Sequence, residues 1–193
     1  MSIMLTSKGF YDSEVLEGFI QYIDDNNFKK EICFITTAIN KADRDFHMTE
    51  TERLLTEAGF TKVSFLDIEV EDSRVLNEYP VICLFGGHPY FLMSQIKQSK
   101  TDIILRELNC DGRFIIGHSS GAVVLGKTIR HAKLLHPEWD DLGLKEFDGI
   151  GLTNEIILPH SNRYSEQREL LEDFENQEGQ RLIYIEDGKY IFL

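Results

Sequence analysis

Short, nearly continuous apolar runs alternate with longer amphipathic stretches along this chain. Runs of the first kind suit strands buried on both faces, and the stretches between them suit helices that cover those faces. The predicted strands are Ile3–Thr6, Glu31–Thr36, Lys62–Leu66, Val81–Phe85 and Arg113–Ile116. The predicted helices lie near Glu14–Asp25, Thr49–Ala58, Tyr90–Gln98 and Ile103–Leu108. Thr49-Glu50-Thr51-Glu52 has the form of a capping box and predicts the start of the second helix.

Beyond Ser119 the pattern predicts a short helix, then an irregular loop from His131 to Gly143. A strand near Glu155–Leu158 and a helix near Gln167–Glu175 follow. The chain closes in a predicted hairpin that pairs Arg181–Ile185 with Tyr190–Leu193 around the turn dipeptide Asp187-Gly188. The fold class is therefore α/β, a mostly parallel sheet with helices on both faces. No Pro/Gly/Ser-rich linker, repeat or low-complexity segment interrupts residues 1–193, which reads as one domain.

Apolar residues make up 42% of the chain, enough for a buried core. No apolar stretch approaches the roughly 20 residues of a membrane-spanning helix. The first residues read as a strand and not as a signal peptide, so a cytoplasmic location is expected. The net charge of −13 opposes binding to phosphate backbones or anionic lipid, which argues against nucleic acid and membrane partners. The three cysteines, Cys33, Cys83 and Cys110, are scattered without CxxC spacing and read as reduced thiols, not as a disulfide framework or zinc site.

The chemistry gathers at two glycine-marked strand ends. Gly117-His118-Ser119-Ser120-Gly121 follows the apolar run Arg113–Ile116 and precedes Ala122-Val123-Val124-Leu125. This strand–turn–helix setting, with small residues two before and two after Ser119, has the spacing of a nucleophile elbow. The turn crowds the backbone, pushes the serine hydroxyl out of the sheet and aims N–H groups of the helix start at a developing negative charge. Ser120 competes for the role of nucleophile, and the glycine spacing favours Ser119. Gly86-Gly87, after the strand Val81–Phe85, can supply a further N–H group.

A serine nucleophile needs a base. Of the six histidines, His160 follows the apolar run Ile156-Ile157-Leu158-Pro159 and is placed best. His47, His131 and His136 read as surface residues, and His118, inside the elbow, should point away from the hydroxyl.

Three segments together resemble the motif blocks of the peptidase E (S51) family of serine peptidases: Gly86-Gly87-His88-Pro89-Tyr90-Phe91-Leu92, Gly117-His118-Ser119-Ser120-Gly121-Ala122 and Leu158-Pro159-His160-Ser161-Asn162. The resemblance spans nearly the whole chain and implies a class I glutamine amidotransferase-like fold. It implies Ser119 as nucleophile, His160 as general base, and the N–H groups of Gly87 and Ser120 as oxyanion hole. It implies hydrolysis of small peptides, in the best-known branch dipeptides with N-terminal aspartate, without metal or cofactor. Two positions depart from the family's pattern, His88 for a turn asparagine and Ser120 for an elbow alanine.

The acid partner of the histidine stays open among Asp187, Asp140 and Glu138. Arg163, three residues after His160, is the candidate cation for a substrate carboxylate, together with His88 as a substrate-binding position. Arg168 is expected to pair with Glu172 one helical turn on. The segment after His160 is shorter than in aspartyl dipeptidases. A small esterase and a non-catalytic binding protein are the other readings, and either a monomer or a homodimer fits the sequence.

Overall fold

The computed structural model describes residues 3–139 and 142–193. A six-stranded sheet has the order β3-β2-β4-β5-β1-β8, where β1 is Ile3–Thr6, β2 Glu31–Ile35, β3 Lys62–Leu66, β4 Val81–Leu84, β5 Phe114–His118 and β8 Tyr190–Phe192. All neighbours are parallel except β8, which runs antiparallel to β1. A separate two-stranded parallel sheet joins β6 (Ile156–Pro159) to β7 (Leu182–Ile185).

Successive side chains of a strand point to opposite faces, and here both faces are buried. Leu5, Cys33, Ile35, Ile82, Leu84 and Ile115 enter one core, beneath α3 (Pro89–Gln98), α4 (Thr101–Cys110) and α5 (Ser120–Leu125). Met4, Ile32, Phe34, Val81, Cys83, Phe114 and Ile116 enter the other, beneath α1 (Ser13–Asp25) and α2 (Lys41–Glu57). Phe19 stacks on Phe60 and Phe114 there, with ring centroids 5.5 and 6.2 Å apart. Each such fully buried side chain contributes about 1.5–3 kcal/mol. Burial pushes the Cys33 thiol up to about 12, and Cys33, Cys83 and Cys110 are all free.

Four expectations need correction. First, α2 begins at Lys41, capped by the Asn40 side chain, and not at Thr49; its first turns are so polar that no apolar period marks them. Second, the stretch from His131 is partly helical: α6 spans Arg130–Leu135, and a 3₁₀ turn spans Pro137–Trp139. Third, His131 is buried, not exposed, and His136 and His47 are half-buried.

Fourth, the closing strands do not form a hairpin. The turn at Asp187-Gly188 exists, but the chain crosses there from the small sheet to the large one. Strand β7 pairs with β6, and β8 pairs with β1. Leu182 packs in the cluster of Ile156, Leu158, Leu171 and Phe174, against α7 (Arg168–Glu178), while Tyr190 and Ile191 pack on the main cores. Separate destinations for the apolar side chains outweigh the local turn signal. No helix among the described residues is long and apolar enough to cross a membrane.

Candidate active site

Strands β4 and β5 are parallel neighbours with Leu84 opposite Gly117, so their carboxyl ends open side by side. That register carries Gly86-Gly87 to Ser119. A Cβ on Gly86 would lie 2.7 Å from the Cβ of Ser119, so only glycine lets the two turns approach this closely. Ser119 itself has φ 53° and ψ −120°, a conformation that costs a non-glycine residue about 1–3 kcal/mol. The fold holds it there. The Ser119 N–H donates to the Thr6 carbonyl at 2.8 Å, and the Ser119 carbonyl accepts from Ala122 N–H at 2.8 Å. A Cβ on Gly117 would meet the Cα of Ala122 at 2.6 Å, which explains the small residue two before the serine.

His160 and Asp187 reach the site through the small sheet. Pro159 and Ile185 are register partners, so the residues that follow β6 and β7 emerge at the same edge. His160 takes a left-handed backbone, φ 57°, and turns its ring toward the elbow. Its Nε2 lies 3.0 Å from Ser119 Oγ, and its Nδ1 lies 2.5 Å from Asp187 Oδ1. Asn162 Oδ1 accepts the Asp187 N–H at 2.8 Å, and Ser7 Oγ donates to the Glu186 carbonyl at 2.6 Å, fixing the carboxylate's loop.

Charge and tautomer follow. Burial raises the Asp187 carboxyl, but hydrogen bonds from His160 and Arg163 outweigh it and hold the group at about 2. An ionised carboxylate only accepts, so Nδ1 of His160 carries the proton and Nε2 is free to accept from Ser119. Burial lowers the His160 pKa, the Asp187 bond opposes this, and the net direction is down, so the ring is neutral at pH 7.

The other expected site residues fall as follows. Ser120 is buried, and its hydroxyl donates to the Gly87 carbonyl at 2.6 Å, tying the elbow to the Gly86-Gly87 turn. Gly87 and Ser120 line one cleft with Ser119 and His160. Arg163 forks onto Asp187, Nε to Oδ2 at 2.9 Å and an Nη to Oδ1 at 3.1 Å, instead of standing free for a substrate. His88 caps α3, its Nδ1 accepting from Phe91 N–H at 3.2 Å. Glu138 is not on His160; it lies 3.2 Å from His136 Nδ1, and Asp140 lies outside the described residues. Arg168 pairs with Glu172 at 3.1 Å. His118 is half-buried against Gly9 and Phe85, with its Nδ1 out of water, and desolvation takes its pKa down to about 3. Among the described residues, no three His, Cys, Asp or Glu side chains converge as a metal site.

A sequence profile of peptidase family S51 matches residues 3–193. The chain belongs to peptidase family S51. An uncharacterised peptidase of Listeria monocytogenes is 27% identical over 137 residues, covering 69% of this chain and 66% of that protein. One from Pasteurella multocida is 24% identical over 158 residues, 79% of this chain and 74% of its own length. The match thus spans about two thirds of the Listeria relative's length. A Listeria monocytogenes crystal structure, provisionally named a peptidase E protein, superposes with a TM-score of 0.79 at 23% identity, covering 100% of this chain and 93% of that one. A peptidase from an acI-B1 actinobacterium superposes at 0.69 and 19% identity, covering 100% and 82%. These superpositions show a peptidase E-like fold.

Sequence reasoning missed the aromatic and polar wall opposite the S51 elbow. His136 stacks on Trp139 at 3.9 Å and lies 2.9 Å from the Tyr164 hydroxyl through Nε2. No motif marks these three positions, because the wall forms only when α6 and the loop after β6 pack together. Asn162 lies in the third motif block, but nothing in the sequence shows that it and Ser7 fix the loop of Asp187.

Proposed function

We propose that this chain is a serine-type peptidase of small peptides, with Ser119 as nucleophile, His160 as general base and Asp187 as its acid partner. One observation carries the reading: a single imidazole lies within hydrogen-bond reach of Ser119 Oγ on one nitrogen and Asp187 on the other.

Ser119 Oγ attacks the scissile carbonyl carbon while its proton passes to His160 Nε2. Asp187 holds Nδ1–H and stabilises the imidazolium that forms. The negative charge on the former carbonyl oxygen is met by the N–H groups of Gly87 and Ser120. The C–N bond then breaks, and His160 gives its proton to the leaving amine. Water attacks the acyl ester, His160 takes the water's proton and returns it to Ser119 Oγ, and the acid product leaves. Arg163 acts here as a positioning residue, because its fork fixes both oxygens of Asp187.

The test is covalent labelling with a fluorophosphonate probe, which reacts at an activated serine with loss of fluoride. Ser119→Ala should abolish labelling. Ser120→Ala should retain most of it, because that hydroxyl ties two turns and faces a carbonyl. Labelling that survives Ser119→Ala would overturn the assignment.

A further inference from the structure

The cleft that opens beside Ser119 and His160 encloses about 260 Å³. Val123, Ala132, Leu135, Leu158, Trp139 and Tyr164 form an apolar part of its wall. Val123, Ala132 and Leu158 are buried, and Leu135, Trp139 and Tyr164 are half-buried. Such a wall gains by removing apolar surface from water and offers an ion nothing in return for its hydration.

A substrate carboxylate in this cleft would need a cation, and among the described residues of its wall the fixed cation is Arg163, whose charge is already paired with the Asp187 carboxylate. Arg163 has Nε and an Nη on the two oxygens of Asp187. His136 has one nitrogen 3.2 Å from Glu138 and the other 2.9 Å from the Tyr164 hydroxyl. His131 is buried, and burial takes its pKa down to about 4, so it is neutral. His160 is the neutral base. The protein's net charge of −13 adds no long-range attraction for an acidic substrate.

We infer that this cleft takes an uncharged aliphatic or aromatic side chain of the substrate residue next to the scissile bond, and not an aspartate side chain. The inference rests on the serine-peptidase reading of the same site. Trp139 and Leu135 are the specificity-determining residues, because they are large apolar side chains lining the same cleft as Ser119 and His160.

The experiment is a dipeptide library, varied at both positions, assayed with the full-length chain alongside fluorophosphonate labelling. Leu and Phe at one position should exceed Ala there by at least about tenfold in kcat/KM, the effect of a few methylenes in an apolar pocket. Asp at that position should fall below Leu by about a hundredfold, because its charge loses water without a partner. Trp139→Ala should cut turnover of Leu and Phe substrates about tenfold more than turnover of Ala substrates. Leu135→Arg should narrow the gap between Asp and Leu, and a cooperative thermal unfolding transition shows that it folds. Labelling with an Asp preference, or with no dependence on side-chain apolarity, overturns the inference and leaves the nucleophile in place. Absence of both labelling and turnover overturns the serine reading, and the inference falls with it.

Discussion

Replacing Asp187 with asparagine tests the chain of hydrogen bonds at the point the sequence left open. The side chain keeps its shape, and one ionised oxygen becomes an amide nitrogen. In the wild type Asp187 Oδ1 sits 2.5 Å from His160 Nδ1 and can only accept, which puts the imidazole proton on Nδ1. An asparagine held in place by Arg163 presents its oxygen to that guanidinium and its NH₂ to His160. Nδ1 must then accept, the proton moves to Nε2, and Nε2 can no longer take the proton of Ser119. The comparable change in a serine triad lowers kcat about 10⁴-fold, or about 5.4 kcal/mol at 1.36 kcal/mol per tenfold.

Stability should change far less. The Arg163 side chain is 51% exposed, so its bridge to Asp187 is screened by water and is worth at most about 1 kcal/mol. The expected outcome is a loss of about 10³–10⁴-fold in both kcat/KM and fluorophosphonate labelling, with a melting temperature within a few degrees of wild type. The assay pairs stopped labelling time courses with thermal unfolding. Activity within tenfold of wild type would refute the reasoning, and so would a loss of activity matched by loss of fold. Glu138→Gln is the control: it touches His136 and should leave labelling near wild type.

Two further outcomes are expected. Gly86→Ala should fold yet lose at least about a hundredfold in labelling, since the added methyl lies 2.7 Å from the Ser119 Cβ and displaces its hydroxyl; wild-type labelling would show that the two turns are not held together. Stability should fall as pH drops from about 6.5 toward 4, because desolvation depresses the pKa values of His118 and His131 to about 3 and about 4. Above the unfolded value both states bind no proton, and below it only the unfolded chain does, so each histidine costs about 1.4 kcal/mol per pH unit in that window. Urea midpoints that are flat between pH 6.5 and 4.5 would contradict it.

The elbow and the double-glycine turn were legible in the sequence for a local reason. Each is a short run in which chain geometry restricts residue type: glycines where a Cβ cannot fit, and a serine at the strained corner between strand and helix. The central strands were legible as well, because β2, β4 and β5 bury both faces and so read as unbroken apolar runs. His160 was found because it closes such a run.

Which carboxylate lies on His160 was not legible, because it is set by a pairing with no local signature. Asp187 reaches His160 because β7 lies parallel to β6, 26 residues earlier in the register of Ile156 and Leu182. The turn dipeptide at Asp187-Gly188 pointed instead to a hairpin, and packing overruled it. The same tertiary arrangement turned Arg163 from a candidate substrate contact into a clamp on Asp187, and brought Trp139, His136 and Tyr164 together as a wall. Residue type fixes what a side chain can do within its own turn of chain. Which distant group it meets depends on where the apolar faces of separate elements find room to be buried.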